Sequence, residues 1–327
     1  MNNANVAIIG AGITGLTIGT KLIEAGVSVT LFDKSRGVSG RLATRRAEVS
    51  GKVLRFDHGT PFLTTDQTLR LQQLGASLNS DFLPKLATET NLVDSKKALY
   101  LSVPDGINRV GKLLAKKLNL HLNVAVTGVH RAASESRWLV APNPNETQHA
   151  FDWIILTTPP QQALKILEST QNSISPLLKR IEPEGCWSLM LAMAEPLTGP
   201  DLHYPDSRIV ERIICEHKKR RRCYGMGVYT IQAHRSWSQH WIESNPKSVA
   251  RMMLGELGAL GYETSRVIHQ QLHRWLYAGV INPLDCGFLM DSQQRLMCAG
   301  DWCLGNDVGS ALDSAEAAAA QIIQSLG

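Results

Sequence analysis

Val6–Ile9 is an uninterrupted apolar run ending at Gly10, the pattern of a strand buried on both faces. Ile13–Ala25 follows with helical periodicity, apolar at Leu16, Ile18, Leu22 and Ile23, and Gly26 ends it. Val27–Phe32 alternates Val27, Val29 and Leu31 with Ser28 and Thr30, and Phe32 closes it. Together these predict a βαβ unit of about thirty residues. Farther on, the spacing predicts a helix over Gly106–Leu118, strands over Leu120–Arg131, Trp138–Ala141 and Phe151–Thr157, and a helix over Pro159–Glu168 that opens on prolines. Asn143–Thr147 reads as a hairpin connection. From Glu182 to Asp291 the texture changes: strand-like runs (Trp187–Met193, Ile209–Cys215, Gly225–Ile231) alternate with Trp- and His-rich segments and one long helix, Lys247–Leu260. Arg295–Ala299 reads as a strand and Gly309–Leu326 as an alanine-rich helix. Nucleotide-type signals thus lie at both ends, with unlike material between. The expectation is an α/β chain: a parallel-sheet domain from residues 1–62, 104–170 and 292–327, and an inserted mixed α+β substrate domain from 63–103 and 171–291.

Composition changes this picture little. The 327 residues are 43% hydrophobic and 19% charged, an ordinary globular balance, and a net charge of +5 is too weak to argue for nucleic acid. The first apolar run lacks a basic leader and is broken by glycines, so it does not read as a signal peptide. No uninterrupted apolar stretch approaches the ~18 residues of a membrane span. The six cysteines, Cys186, Cys215, Cys223, Cys286, Cys298 and Cys303, show no metal-ligand spacing with each other or with histidine. They read as buried free thiols of a reducing cytoplasm.

Gly10-Ala11-Gly12-Ile13-Thr14-Gly15 carries more information. This G-x-G-x-x-G follows a strand, opens a helix, and is followed 18 residues after Gly15 by Asp33 at the end of the second strand. Gly10 permits the tight turn, Gly12 lets a pyrophosphate approach the backbone, and Gly15 lets helix and strand pack closely. The helix N-terminus offers free N–H groups to phosphate, and Asp33 can accept from ribose hydroxyls, which favours NAD or FAD over NADP.

The following segment separates the two. Asp33 is followed, after five positions, by Ser39-Gly40-Arg41 and then Thr44. This resembles the extended motif of the amine-oxidase-like flavoproteins, in which Gly-Gly-Arg stands where this chain has Ser-Gly-Arg. Asp57-His58-Gly59 resembles the acidic-x-glycine step which that superfamily places beside the flavin ring. Gly300-Asp301 precedes the last helix, whose start at Val308, Gly309 and Ala311 is positioned to face the pyrimidine end of a flavin. The resemblance implies that Asp301 binds the ribityl chain, that backbone at Val126 touches adenine, and that Lys34 and Thr157 complete the cofactor side.

Gly10–Gly15, Asp33–Arg46, Asp57–Thr64, Val103–Leu118, Asp152–Pro160, Arg274–Ala278 and Gly300–Gln321 together resemble the renalase family within that superfamily. The chain departs from the family at Thr60-Pro61-Phe62-Leu63 and at Leu304-Gly305-Asn306-Asp307. The resemblance implies a Rossmann-type FAD-binding domain of amine-oxidase or p-hydroxybenzoate-hydroxylase type. It also implies non-covalent FAD, hydride transfer from a reduced substrate to flavin N5, and oxidation of dihydro isomers of NAD(P) with molecular oxygen as electron acceptor. The alternatives are a flavin amine oxidase or desaturase, a non-catalytic FAD-binding protein, and an NAD-dependent dehydrogenase, which the Ser-Gly-Arg loop and terminal Gly-Asp oppose. Hydride transfer needs a positioned donor carbon more than a base. The substrate-side candidates are therefore His58, Phe62, Trp275 and Tyr277, with Trp187, Tyr229 and Trp302 as further aromatic walls. Trp275 and Tyr277 stand two apart, so in a strand they point to one face. His269 and His273 are parted by the strand reading and form no metal pair. The basic run Lys218–Arg222 reads as a solvated loop or as a landing patch for a phosphate-bearing substrate.

Overall fold

The computed structural model describes residues 4–76, 100–132, 137–141, 149–219 and 222–326. Among these the strands in chain order are β1 (Asn5–Ile9), β2 (Ser28–Asp33), β3 (Thr44–Val49), β4 (Lys52–Asp57), β5 (Leu63–Thr64), β6 (Tyr100–Leu101), β7 (Asn119–Leu122), β8 (Gly128–Arg131), β9 (Trp138–Ala141), β10 (His149–Phe151), β11 (Trp153–Leu156), β12 (Pro183–Met193), β13 (Leu202–His203), β14 (Val210–Cys215), β15 (Gly227–Ala233), β16 (Val267–Val280), β17 (Leu289–Asp291) and β18 (Leu296–Cys298). The helices are α1 (Ile13–Glu24), α2 (Thr65–Gln73), α3 (Arg109–Leu114), α4 (Pro160–Ile166), α5 (Ser175–Leu178), α6 (Arg235–His240), α7 (Pro246–Ala259) and α8 (Val308–Leu326). No helix among the described residues is long and apolar enough to cross a membrane.

A six-stranded sheet runs β17-β18-β11-β1-β2-β7, parallel except for the β17–β18 pair. β1 lies between β11 and β2, which is why Val6–Ile9 is apolar without alternation: both faces are covered. Val6 and Ile8 point to one face, where α1 and α8 pack through Leu16, Ile18, Leu22, Leu312, Ala315 and Ala319. Ala7 and Ile9 point to the other, against Trp138, Val140 and Phe151 of the antiparallel β10-β9-β8 layer. The small side chains of α8 let it lie close to α1, and the Thr14 hydroxyl donates to the Ala311 carbonyl at 3.4 Å.

The second sheet, β13-β14-β15-β12-β16, is built wholly from residues 183–280. Strand β12, between β15 and β16, sends Trp187, Leu189, Leu191 and Met193 to one face, where α7 covers them with Val249, Met253 and Leu257. The other face carries Ser188, Met190 and Ala192, and lies on Leu54 and Phe56 of the β3–β4 hairpin. That second contact carries the loop following β4 up against the sheet.

Three expectations change. Leu120–Arg131 is not one strand: Asn123 turns it at φ +59°, so β7 joins the parallel sheet and β8 joins the antiparallel layer. Phe151–Thr157 divides at Asp152, whose carboxylate accepts the Asn5 amide at 2.8 Å and ends one strand before the next begins. The helix expected from Gly106 starts at Arg109, because Gly106 sits at φ +109° in the preceding turn. The Asn143–Thr147 connection lies outside the described residues.

Candidate functional site

The fingerprint turn is built as its spacing implies. Gly10 takes φ +116° and donates its amide to Phe32 at 2.8 Å. A Cβ on Gly15 would meet the Gly10 carbonyl oxygen at 2.1 Å, so only glycine lets α1 start this close to β1. Gly12 differs from both. Its φ of −74° suits any residue, and a Cβ there would meet no atom of the chain within 4 Å. Neither backbone conformation nor internal packing demands glycine at this position, which leaves the approach of something outside the chain. Asp33, expected to receive ribose hydroxyls, also fastens the turn: its two oxygens accept the Ala11 and Ser35 amides, each at 2.7 Å. The Thr157 hydroxyl donates to the Gly10 carbonyl at 2.9 Å, and Lys34 reaches Gln162 at 3.2 Å. Ile13 is buried beneath the turn, and Val126 is half-buried against the antiparallel layer.

Ser39 keeps the backbone of the glycine it replaces. It holds φ +96°, a region L-residues avoid, and is fixed there by its amide to the Ala11 carbonyl (2.8 Å) and its hydroxyl to the Asn108 carbonyl (3.0 Å). This draws the loop alongside Gly12, and Gly40 follows at φ +55°. Arg41 then ties the two ends of the chain together. Its guanidinium donates to the Asp301 carboxylate at 2.5 Å and to the Ala278 carbonyl at 2.8 Å. Ala278 lies where the β12–β16 register slips between Glu184 and Cys186, a bulge that frees its carbonyl from the ladder.

Behind this loop stands an ion cluster that the sequence reading missed. Asp57, Glu216 and Lys219 have no exposed side-chain surface. The Lys219 ammonium donates to Asp57 (3.2 Å), Glu216 (3.0 Å) and the Pro61 carbonyl (2.8 Å). Asp57 also accepts from the Thr44 hydroxyl (2.7 Å) and the Ile107 amide (3.0 Å), and Glu216 accepts from the Asp57 amide (2.9 Å) and the Thr230 hydroxyl (2.7 Å). Two lysines of the basic run are engaged within the chain. Lys219 points inward, and Lys218 is held by the Gly199 carbonyl and Asp201. Arg222 is exposed, and Arg220 and Arg221 lie outside the described residues.

The segment that follows Asp57 is clamped from every side. Trp275 donates to the His58 carbonyl at 2.9 Å, Gln232 to the Gly59 carbonyl at 2.5 Å, and the Thr60 amide to the Arg41 carbonyl at 2.9 Å. A Cβ on Gly59 would meet that same Arg41 oxygen at 1.9 Å. The His58 ring stacks on Trp275 (5.2 Å) and meets His273 edge-on (4.7 Å). Burial pushes His58 down to about 3, aided by the neighbouring His273 and Arg45, and pushes His273 to about 4, so both rings are neutral. Gln232, Ser188 and His273 form one cross-strand row, and the buried His58 Nδ1, Ser188 Oγ and Gln232 Oε1 have no hydrogen-bond partner among the described residues.

The other candidates separate. Phe62 packs on Tyr100 (4.4 Å) with Leu202 and Ile214, a cluster apart from His58. Tyr277 has no ring contact with the His58 cluster among the described residues, and the β12–β16 register slips just beyond Trp275. Trp187 and Tyr229 belong to the α7-side core. Trp302 is buried, with its indole N–H unpartnered beside Gly300. At the start of α8, Val308 and Ala311 are buried, and exposed Asp307 accepts the Ser310 amide at 2.8 Å. A carboxylate thus offsets the positive helix end that Val308 and Gly309 were expected to present. Asn306 binds both the amide and the carbonyl of Val280, fixing this divergent loop to β16. All six cysteines are free, and five are buried.

Two measurable consequences follow from this geometry. Lys219→Met leaves two buried carboxylates uncompensated, so denaturant unfolding should show a loss of about 3–5 kcal/mol. Adding Glu216→Gln to that variant should restore part of the loss. The second concerns pH. The folded pKa of His58 lies below the unfolded value, so the unfolded chain binds more protons. The stability contributed by the neutral ring is complete above about pH 6.5 and declines as pH falls toward about 3. His58→Gln should flatten the pH dependence of unfolding in that window by up to ~1.4 kcal/mol per pH unit.

Comparison with known proteins places this geometry in a fold. Residues 8–77 match the NAD(P)-binding Rossmann-like domain family. Among solved structures, the chain is similar to cyclohexylamine oxidase from Brevibacterium oxydans IH-35A (12% identity, TM-score 0.71, 99% of each chain). It is similar too to a wild-type putrescine oxidase bound to putrescine (13%, TM-score 0.69, 98% of this chain and 99% of that one). A third is a fatty acid isomerase from P. acnes that produces CLA (13%, TM-score 0.71, 98% and 99%). At these identities the likeness establishes the architecture: a Rossmann-type parallel sheet joined to an antiparallel second sheet, in an amine-oxidase-like fold.

Proposed function

We propose that the chain is an FAD-dependent oxidoreductase, a renalase-like oxidase of dihydro-NAD(P) isomers. The observation that carries the cofactor reading is Gly12, whose bare face serves no need of the chain itself. The residues suit FAD: Gly10–Gly15 and Asp33 for the ADP half, Ser39–Arg41 alongside it, and Asp301, His58–Gly59 and the start of α8 for the rest. When bound, FAD supplies acceptance of a hydride at N5, with molecular oxygen taking the two electrons onward. The chain's own part is positioning. Arg41 holds Asp301 and the bulged end of β16 in one place, and Gln232 and Trp275 fix the His58–Gly59 backbone.

Two features favour a neutral or anionic substrate over an amine. The wall of His58, His273, Trp275 and Gln232 contains no carboxylate to receive an ammonium group. Lys219, the lysine with no exposed surface, has all three protons committed to Asp57, Glu216 and Pro61. The amine oxidases among similar structures keep an amine reading as the second possibility.

Two experiments test this reading. The purified protein should be yellow, and anaerobic addition of dihydro isomers of NAD(P) should bleach it. A colourless protein removes the FAD reading. A yellow protein bleached by amines and not by the dihydro isomers replaces the substrate. Gly12→Val should keep the unfolding midpoint of the FAD-free wild type, because its side chain enters open space, yet retain little bound chromophore.

A further inference from the structure

Arg45 stands on β3 opposite Phe56 of β4, so the two side chains leave the same face of the hairpin. That face meets β16: the Phe56 ring lies 6.1 Å from His269, and the His58 ring lies 4.7 Å from His273. Arg45 is half-buried there, and among the described residues no ion pair or side-chain hydrogen bond engages it. Nearby arginines are different: Arg41 pairs with Asp301, Arg235 with Glu184, and Arg274 with Glu243. Its charge acts on two imidazoles, His58 and His273, both held neutral mainly by burial and further by Arg45.

A half-buried guanidinium with no acceptor among the described residues keeps its N–H donors open to a ligand oxyanion. Its planar fork matches phosphate with two parallel hydrogen bonds. Beside it, Trp275 and the histidine rings provide flat, uncharged surface for the body of the ligand. We propose that Arg45 anchors a phosphate group of the substrate and thereby sets the substrate class as phosphate-bearing, against ammonium-bearing compounds. This rests on the reading of the substrate as a reduced pyridine nucleotide, whose pyrophosphate is the anion concerned.

The test uses FAD-loaded wild-type protein, Arg45→Met and Arg45→Lys, with a dihydro isomer of NAD and the corresponding dihydronicotinamide riboside, which lacks phosphate. Arg45→Met should raise KM for the dinucleotide roughly 10- to 100-fold, the scale of a lost charged hydrogen-bond pair. It should change kcat less than about twofold, leave KM for the riboside unchanged, and be partly rescued by Arg45→Lys. In parallel, inorganic pyrophosphate is titrated calorimetrically into each loaded protein, and Arg45→Met should weaken its binding at least about tenfold. Unchanged pyrophosphate affinity, or a KM that rises equally for both substrates, overturns the proposal. If neither substrate bleaches the wild-type flavin, the pyridine-nucleotide reading fails by itself. The titration then decides Arg45: binding that needs the guanidinium sustains the anion site, and no binding, or binding indifferent to it, removes it.

Discussion

Three charges without solvent contact, Asp57, Lys219 and Glu216, fix the place where the β3–β4 hairpin meets the five-stranded sheet. Burying them is costly and is tolerated because every bond is made: Lys219 uses its three protons, and each carboxylate accepts three donors. The bonds run from β4 to the turn after β14, to β15 and to the backbone before α3. An apolar cluster of equal volume could hold the same elements together, but it would not specify the orientation of Asp57. That orientation sets the backbone of His58 and Gly59, which Trp275 and Gln232 then hold from the opposite sheet. The cluster is thus a geometric specification more than a source of net stability.

From that point the ends of the chain become mutually dependent. Gly59 passes the Arg41 carbonyl with no room for a side chain, and Arg41 reaches Asp301 some 260 residues away. Ser39 sits in a backbone region that costs on the order of 1–3 kcal/mol for a non-glycine residue. Its bonds to Ala11 and Asn108 hold it there, so the loop keeps its path beside Gly12 although the favoured glycine is gone. Strain at one residue is retained because the surrounding contacts leave the loop no alternative route.

The βαβ unit, the fingerprint and the terminal helix were legible because each is written in local spacing: an apolar run, a glycine turn, a 3.6-residue period. The partners of the loop after β4 were not. Lys219 sits within a run of five basic residues, and nothing local separates the lysine that turns inward from the one that faces Asp201. Its partner Asp57 is 162 positions away. The same limit explains the aromatic candidates. Trp275 and Tyr277 stand two apart, yet the ring contacts to His58 among the described residues come from Trp275 and from His273, which spacing alone did not single out. Phe62 and Trp187 are aromatic residues doing the commoner work of core packing.

One architecture holds amine oxidases and a fatty acid isomerase, so the chemistry must be decided by the groups that face the substrate rather than by the sheet that holds them. In this chain those groups are defined by what they lack. Two imidazoles are neutral, Gln232 Oε1 and Ser188 Oγ have no partner among the described residues, and no carboxylate there answers Arg45. At the other side of the candidate flavin site, Asp307 caps α8 and adds negative charge where the helix end alone would be positive. Positive charge therefore lies on the wall and negative charge at the helix. In the proposed site an anionic substrate would be favoured at the wall, whereas a cationic one would meet the half-buried Arg45, where like charges repel more strongly than in water.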